Sequence, residues 1–295
     1  MQKTFKNFWR VISAPFRFIA WIIRSIIRWI SRVVQEINNF FTEEVEDAPV
    51  GDALNKAFDH PQDLFVHLNA LRKHLFRALA FLVITTAISF TFNRKIIDLL
   101  SNPIGGIDSL VAIEVTEPIS TVMRVSLLSG FALAFPYIAL EIWLFVAPGL
   151  SRRSRVYGLF AIPFATVFFV GGMAFAYYVM LPTALPFLLN FMGIQTIPRP
   201  SSYIKFTTGL LFWIGISFEF PLVIFLLAKI GLIKASVLLQ QWRIAIVIIA
   251  VVSAMVTPTI DPVNMGLVMG PMILLYFFSV LLAKIAQPRV AKQVK

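Results

Sequence analysis

The chain has 295 residues, 58% of them hydrophobic and only 14% charged, with a mean hydropathy of +0.82 and a formal charge of +11. A soluble domain carries nearer ~25% charged residues, so a water-soluble globular class is excluded. Cysteine is absent, which removes disulfides, thiolate chemistry and Cys-ligated metals.

Residues 1–42 form a segment of their own. Arg10, Arg17, Arg24, Arg28 and Arg32 recur at intervals of seven and four and so share one helix face, with Phe8, Ile12, Phe16, Ile19, Ile23, Trp21 and Trp29 around them. Arginine interrupts too often for a span, and no small-residue cleavage site follows. The pattern predicts a basic amphipathic helix in the membrane interface, suited to anionic lipid. Residues 43–59, opening on Glu43-Glu44-Val45-Glu46-Asp47, read as an acidic linker.

Residues 60–285 read as a membrane domain, and 286–295 as a basic tail. Apolar runs of spanning length predict six helices, at about Leu75–Phe92, Ile119–Val146, Tyr157–Leu181, Phe206–Ala228, Ile244–Val256 and Met265–Ala283. No acid, base or histidine interrupts Val156 to Pro198. The fifth run reaches only about 20 Å, short of the ~30 Å hydrocarbon core. Arg243 bounds it at one end and Thr257-Pro258 at the other. Arg72, Lys73, Arg77, Arg152, Arg153, Arg155, Lys229, Lys234 and Arg243 fall on one side, which predicts cytoplasmic termini. The positive charge therefore points to anionic lipid rather than nucleic acid.

Glu219 stands alone in the fourth run, within Ser217-Phe218-Glu219-Phe220-Pro221. A carboxylate at that depth is expensive and normally faces a partner or a wet cavity. The other reading is a protonated acid bonded to a neighbouring helix for packing. Catalytic motifs are missing: there is no Walker loop, HExxH, GxSxG or carboxylate pair, so no enzyme and no cofactor is expected. His60, His67 and His74 lie seven apart, roughly 10 Å along a helix, too far for one metal ion, and read as interfacial or capping residues. Gly105-Gly106 reads as a turn and Gly171-Gly172 as a close-packing site.

Several short motifs then fall in order. His67-Leu68-Asn69-Ala70-Leu71-Arg72 stands before the first span, and Thr116-Glu117-Pro118 ends the first external loop. Phe145-Val146-Ala147-Pro148-Gly149-Leu150 closes the second span, and Gly172 to Tyr177 with Leu181-Pro182 marks the third and its exit. Ser217 to Pro221 follows, then Thr257-Pro258-Thr259 with Asp261-Pro262 between the last two spans. In these residues the chain resembles the TatC family, the multispanning receptor subunit of the twin-arginine protein translocase, from about Pro61 to Lys284. The resemblance implies an all-α polytopic fold, six helices in a curved wall with the fourth-span glutamate on its concave side. It also implies a receptor at the cytoplasmic face of the inner membrane, taking folded precursors with twin-arginine signal peptides. TatA- and TatB-type single-span proteins and other TatC copies would be its partners, and the proton-motive force its energy source.

The two acids through which the family is understood to grip the twin arginines are replaced: Ala70 stands for the glutamate of HLxELR and Ser154 for the acid after FxxPGL. A third family acid, that of LYE in the last span, is Phe277 here. The signal-peptide region implied by resemblance comprises His67, Leu68, Arg72, Pro148, Arg152 and Arg153, with Glu141 as a substitute acid or, alternatively, a snorkelling interfacial residue. Asp63 and Asp59 stand behind it. Thr257, Pro258 and Asp261 mark a partner-contact turn. A second possibility is an accessory subunit that no longer reads arginine pairs. A small-solute or proton transporter using Glu219 is a third, though the two halves show no matching repeat.

Overall fold

The computed structural model of the protein describes Ser31 and residues 61–149, 152–190, 193, 196–257 and 262–287. The chain divides into two units, Met1–Pro49 and Val50–Lys295. The expected interfacial helix and acidic linker, Ser31 apart, lie outside the described residues, as do His60, Asp59 and the tail beyond Gln287.

Lipid offers the backbone no hydrogen bonds, and the second unit is helical throughout its spans. The helices are α1 (Pro61–Phe90), α2 (Asn93–Ser101), α3 (Glu117–Val146), α4 (Arg152–Phe175), α5 (Leu181–Leu189), α6 (Pro200–Lys229), α7 (Ala235–Gln240), α8 (Trp242–Val256) and α9 (Pro262–Ala286). Among the described residues five segments, in α1, α3, α4 continued through α5, α6 and α9, are long and apolar enough to cross a membrane. The sixth expected span is α8, whose 15 residues reach about 22 Å. Arg72, Lys73, Lys229, Lys234, Arg243 and Lys284 mark what is called below the basic end. The opposite end, with α2, is the far end.

Two elements depart from the sequence reading. The third span does not stop at Leu181-Pro182 but runs on to Leu189. A π-helical turn, Ala176–Met180, ends two residues before Pro182 and takes up the register change that its ring and missing N–H demand. The first external loop contains α2, which buries Asn93, Ile97, Leu100 and Ser101 from one face. Tyr177 and Tyr203 donate to the Leu99 and Leu100 carbonyls, both at 2.6 Å, and so satisfy acceptors in its last turn. Gly105 and Gly106, at φ 93° and 99°, make the turn that follows, as expected.

α6 is the central helix. It packs on α3 and α4 to one side and on α9 to the other, with α8 beyond α9. The main apolar core gathers on its far half, where Tyr203, Ile204, Leu210 and Ile214 meet Val125, Leu181 and Val268. α4 crosses α6 at two glycines. A Cβ on Gly172 would lie 2.9 Å from Gly215 Cα, and one on Gly215 would lie 2.8 Å from the Phe169 ring. Of the expected Gly171-Gly172 contact only Gly172 takes part, since a Cβ on Gly171 meets nothing within 4 Å.

α1 is held differently. Among the described residues none of the buried apolar clusters contains an α1 side chain. It runs antiparallel along α3 on a largely polar seam. From the far end, Ser89 bonds Ser129, Gly130 abuts the Thr86 backbone, and Phe81 packs on Tyr137 at 4.6 Å; just past α1, Ser126 donates to Oδ1 of Asn93, the first residue of α2, at 2.7 Å. Hydrogen bonds and small residues do this work because lipid supplies no hydrophobic drive between helices.

Gly172→Leu should therefore separate α4 from α6 and lower stability by about 1–3 kcal/mol or more, as overpacking does. Gly171→Leu should be tolerated. Thermal unfolding of the two variants in detergent checks the contrast.

Candidate functional site

Glu219 sits near the middle of α6, one helical turn after the Gly215 crossing, half-buried on a face it shares with Ile216 and Val223. Two hollows meet along that face. One, of about 490 Å³, lies among α6, α8 and α9 and is lined by Trp213, Ile249, Met272 and Tyr276. The other, of about 380 Å³, lies among α3, α4 and α6 and extends past Phe135, Ala165 and Leu226 to Lys229 at the basic end. Ile216, Glu219 and Val223 line both. The carboxylate is the one acid lining two largely apolar hollows, and its Oε1 is buried without a hydrogen-bond partner among the described residues. The Phe169 backbone of α4 lies beside the carboxyl and interacts with it, while Oε1 is left without a partner.

Glu141 has the opposite setting. It lies near the basic end of α3 and is 1% exposed. The Nδ1 of His74 stands 2.6 Å from Oε2, Tyr137 donates to Oε1, and an Arg77 nitrogen lies 3.9 Å from Oε1. This corrects one sequence reading: Glu141 is sealed and does not snorkel, and His74 is its partner. A buried carboxylate requires cations and donors, and α1 brings both to it across the seam. His67 and His74 share a face, as their spacing implies, and both rings pack on Phe145, at 4.4 and 6.1 Å.

At the far end a third carboxylate is buried. Glu117, the first residue of α3, is 2% exposed. Arg199, just before α6, donates from Nε to Glu117 Oε1 at 2.6 Å and from Nη2 to Glu114 Oε1 at 2.7 Å. The hydrogen bond to Glu114, then that to Glu117, holds the guanidinium pKa above its ordinary value. Val111 N also donates to the Pro198 carbonyl at 3.4 Å, so two loops are clasped at two points. Thr116 and Pro118 flank the clasp, exposed, and the Thr116 side chain makes no capping bond.

Comparison with known proteins gives this arrangement its family. Residues 66–271 match the family model described as Sec-independent protein translocase protein (TatC). The chain belongs to the TatC family. It is 36% identical to the Sec-independent protein translocase protein TatC of Campylobacter jejuni over 236 residues, 77% of this chain and 96% of that one. It is 33% identical to the protein of the same name from Carboxydothermus hydrogenoformans over 234 residues, 78% of this chain and 96% of that one. A crystal structure described as the twin arginine translocase receptor TatC superposes with a TM-score of 0.67 at 30% identity, covering 75% of this chain and 99% of that one. This TatC chain is accordingly a multi-pass membrane protein and a subunit of the twin-arginine translocase.

Within this TatC, the two motif segments of the basic end come together where His67 meets Phe145. Leu68 and Arg72 are exposed, and Arg72 lies 5.6 Å over the Phe76 ring. Pro148 is exposed, its carbonyl accepting from a buried Arg155 at 3.2 Å, while Arg152 and Arg153 open α4. The Thr257 hydroxyl is buried and donates to Ser253 O at 3.0 Å; Pro258 and Asp261 lie outside the described residues. Phe277 is 45% exposed where the family writes an acid. Sequence reasoning missed His74, Tyr137 and Arg77 as partners of Glu141, and Arg199 as the partner of Glu117. The one available signal was the four-residue spacing of Tyr137 and Glu141, which puts them on one face.

Because Glu117 is sealed, its partner matters more than the exposed Glu114 does. Arg199→Ala should lower the unfolding temperature in detergent well beyond Glu114→Ala. Adding Glu117→Gln to Arg199→Ala should restore part of the loss, since the unpaired buried charge is then gone.

Proposed function

We propose that this TatC is the multispanning receptor of a twin-arginine translocase in the inner membrane, with both termini in the cytoplasm and the basic end facing it. Folded precursors bearing twin-arginine signals would meet the exposed segment from His67 to Arg72 and the neighbouring Pro148 turn. TatA- and TatB-type single-span proteins and other TatC copies would complete the complex, driven by the proton-motive force without nucleotide or cofactor. The Lys and Arg bias supports the orientation, and the arginine face of residues 1–42 supports added attachment to anionic lipid.

Glu219 carries the reading. An acid left without a partner for Oε1, between two apolar hollows, is poised for a group that arrives from outside the chain or for water. The closed setting of Glu141 supports a recognition surface in which that carboxylate does not itself grip the arginines.

Two measurements test this. Photo-crosslinkers at Leu68 and Pro148 should capture a twin-arginine precursor and not its lysine-pair variant; equal capture of both would contradict recognition here. Glu219→Ala should leave membrane insertion intact and reduce export at least tenfold, on the scale of one lost charge-assisted bond. Loss of the folded protein on Glu219→Ala, with Glu219→Gln fully active, would instead assign Glu219 to packing.

A further inference from the structure

Among the described residues the seam between α1 and α3 is largely polar, and its one carboxylate lies at the basic end. Ser89 with Ser129 and Thr86 with Gly130 hold the far half, and Asn93 of α2 with Ser126 continues it. These are neutral contacts of modest strength in a membrane. Towards the basic end the contacts become Phe81 with Tyr137, then Glu141 with His74 and Arg77, then His67 with Phe145. Beyond that point α1 has no apolar core to rest on, because the described buried clusters leave α1 out. Its lipid-facing side chains Leu68, Leu75, Phe76 and Leu79 are all more than half exposed.

We infer that Glu141 is a positioning residue for signal recognition: by holding His74 and Arg77 it fixes the segment from His67 to Arg72 beside Phe145 and the Pro148 turn. Charge-assisted bonds are about twice as strong as neutral ones, so this cluster is the strongest contact near the recognition end of α1. Tyr137, one turn along α3, donates to the same carboxylate and orients it. The hollow beneath Glu219 opens on a different side of α3, lined by Ile138, Ile142 and Trp143, and does not reach Glu141. At 1% exposure the carboxylate is closed to an incoming guanidinium. Glu141 therefore acts through α1 and not by touching the signal. The assignment rests on the receptor reading above for its functional readout, though not for its structural one.

The chain lacks cysteine, so introduced pairs report on each half of the seam without background. One pair, His67→Cys with Phe145→Cys, reads the recognition end; the other, Ser89→Cys with Ser129→Cys, reads the far half. Both should form disulfides when Glu141 is present. With Glu141→Ala the recognition-end pair should drop several-fold while the far pair is kept. In the chain without cysteine pairs, Glu141→Ala should reduce capture of a twin-arginine precursor at Leu68 roughly tenfold, a loss on the scale of one hydrogen bond to a charge. Glu141→Gln, which keeps one acceptor oxygen for Tyr137 and can donate from its amide to His74 Nδ1, should retain more of both signals than Glu141→Ala. Should Glu141→Ala fail to accumulate, His74→Ala carries the same expectation.

Unchanged disulfide formation at both ends in Glu141→Ala would overturn the inference. So would lost capture with the recognition-end pair intact, since Glu141 would then touch the signal directly. If the unsubstituted protein captures no precursor, the receptor reading fails, and the disulfide pairs still decide whether Glu141 positions α1.

Discussion

A carboxylate in hydrocarbon must be paired, hydrated or neutralised, and three glutamates in the spanning helices meet that constraint in different ways. Glu117 is joined to Arg199 across two loops, and Glu141 to His74, Arg77 and Tyr137 across a helix seam. Both are almost fully buried, and in each case the ion pair ties together elements far apart in sequence. Glu219 has no such tie for its buried oxygen. Glu117 also keeps one buried oxygen without a partner, but its other oxygen carries the ion pair to Arg199. The two ion-paired acids build the frame, and Glu219, without an ion pair among the described residues, is the part of the frame left open.

The same solvent explains why the helices are held by unlike means. Apolar side chains gain little by leaving lipid for one another, so contact depends on close approach or on hydrogen bonds. α4 and α6 use close approach, through Gly172 and Gly215. This close crossing lies one turn from Glu219. α1 and α3 use hydrogen bonds, and α1 stands outside the apolar core that α6 organises. The element carrying the segment from His67 to Arg72 is thus attached by bonds that individual substitutions can remove.

The spans were legible because an apolar run of spanning length has few other uses, and Glu219 because one acid interrupts such a run. The short α8 was legible from Arg243 and Thr257-Pro258 at its ends. The nine-residue α2 was not: its amphipathic face is too brief to stand out beside a span. Pro182 signals a helix end in sequence, and only the π-helical turn before it shows how the helix continues. Glu141 looked interfacial because its distance from the end of its run was visible and its partner, 67 residues away, was not. Arg199, 82 residues from Glu117, counted only as a loop charge for the same reason. Motif resemblance named the family, but the setting of each acid came from contacts remote in sequence.

The claim most exposed to test is that the three acids differ in access. Single thiols introduced as Glu117→Cys, Glu141→Cys and Glu219→Cys in this cysteine-free chain, in native membranes, would be exposed to a small polar thiol reagent. Reaction at position 219, with slow or absent reaction at 117 and 141 in folded protein, is the predicted result. An inert position 219 beside a reactive position 141 would contradict the account.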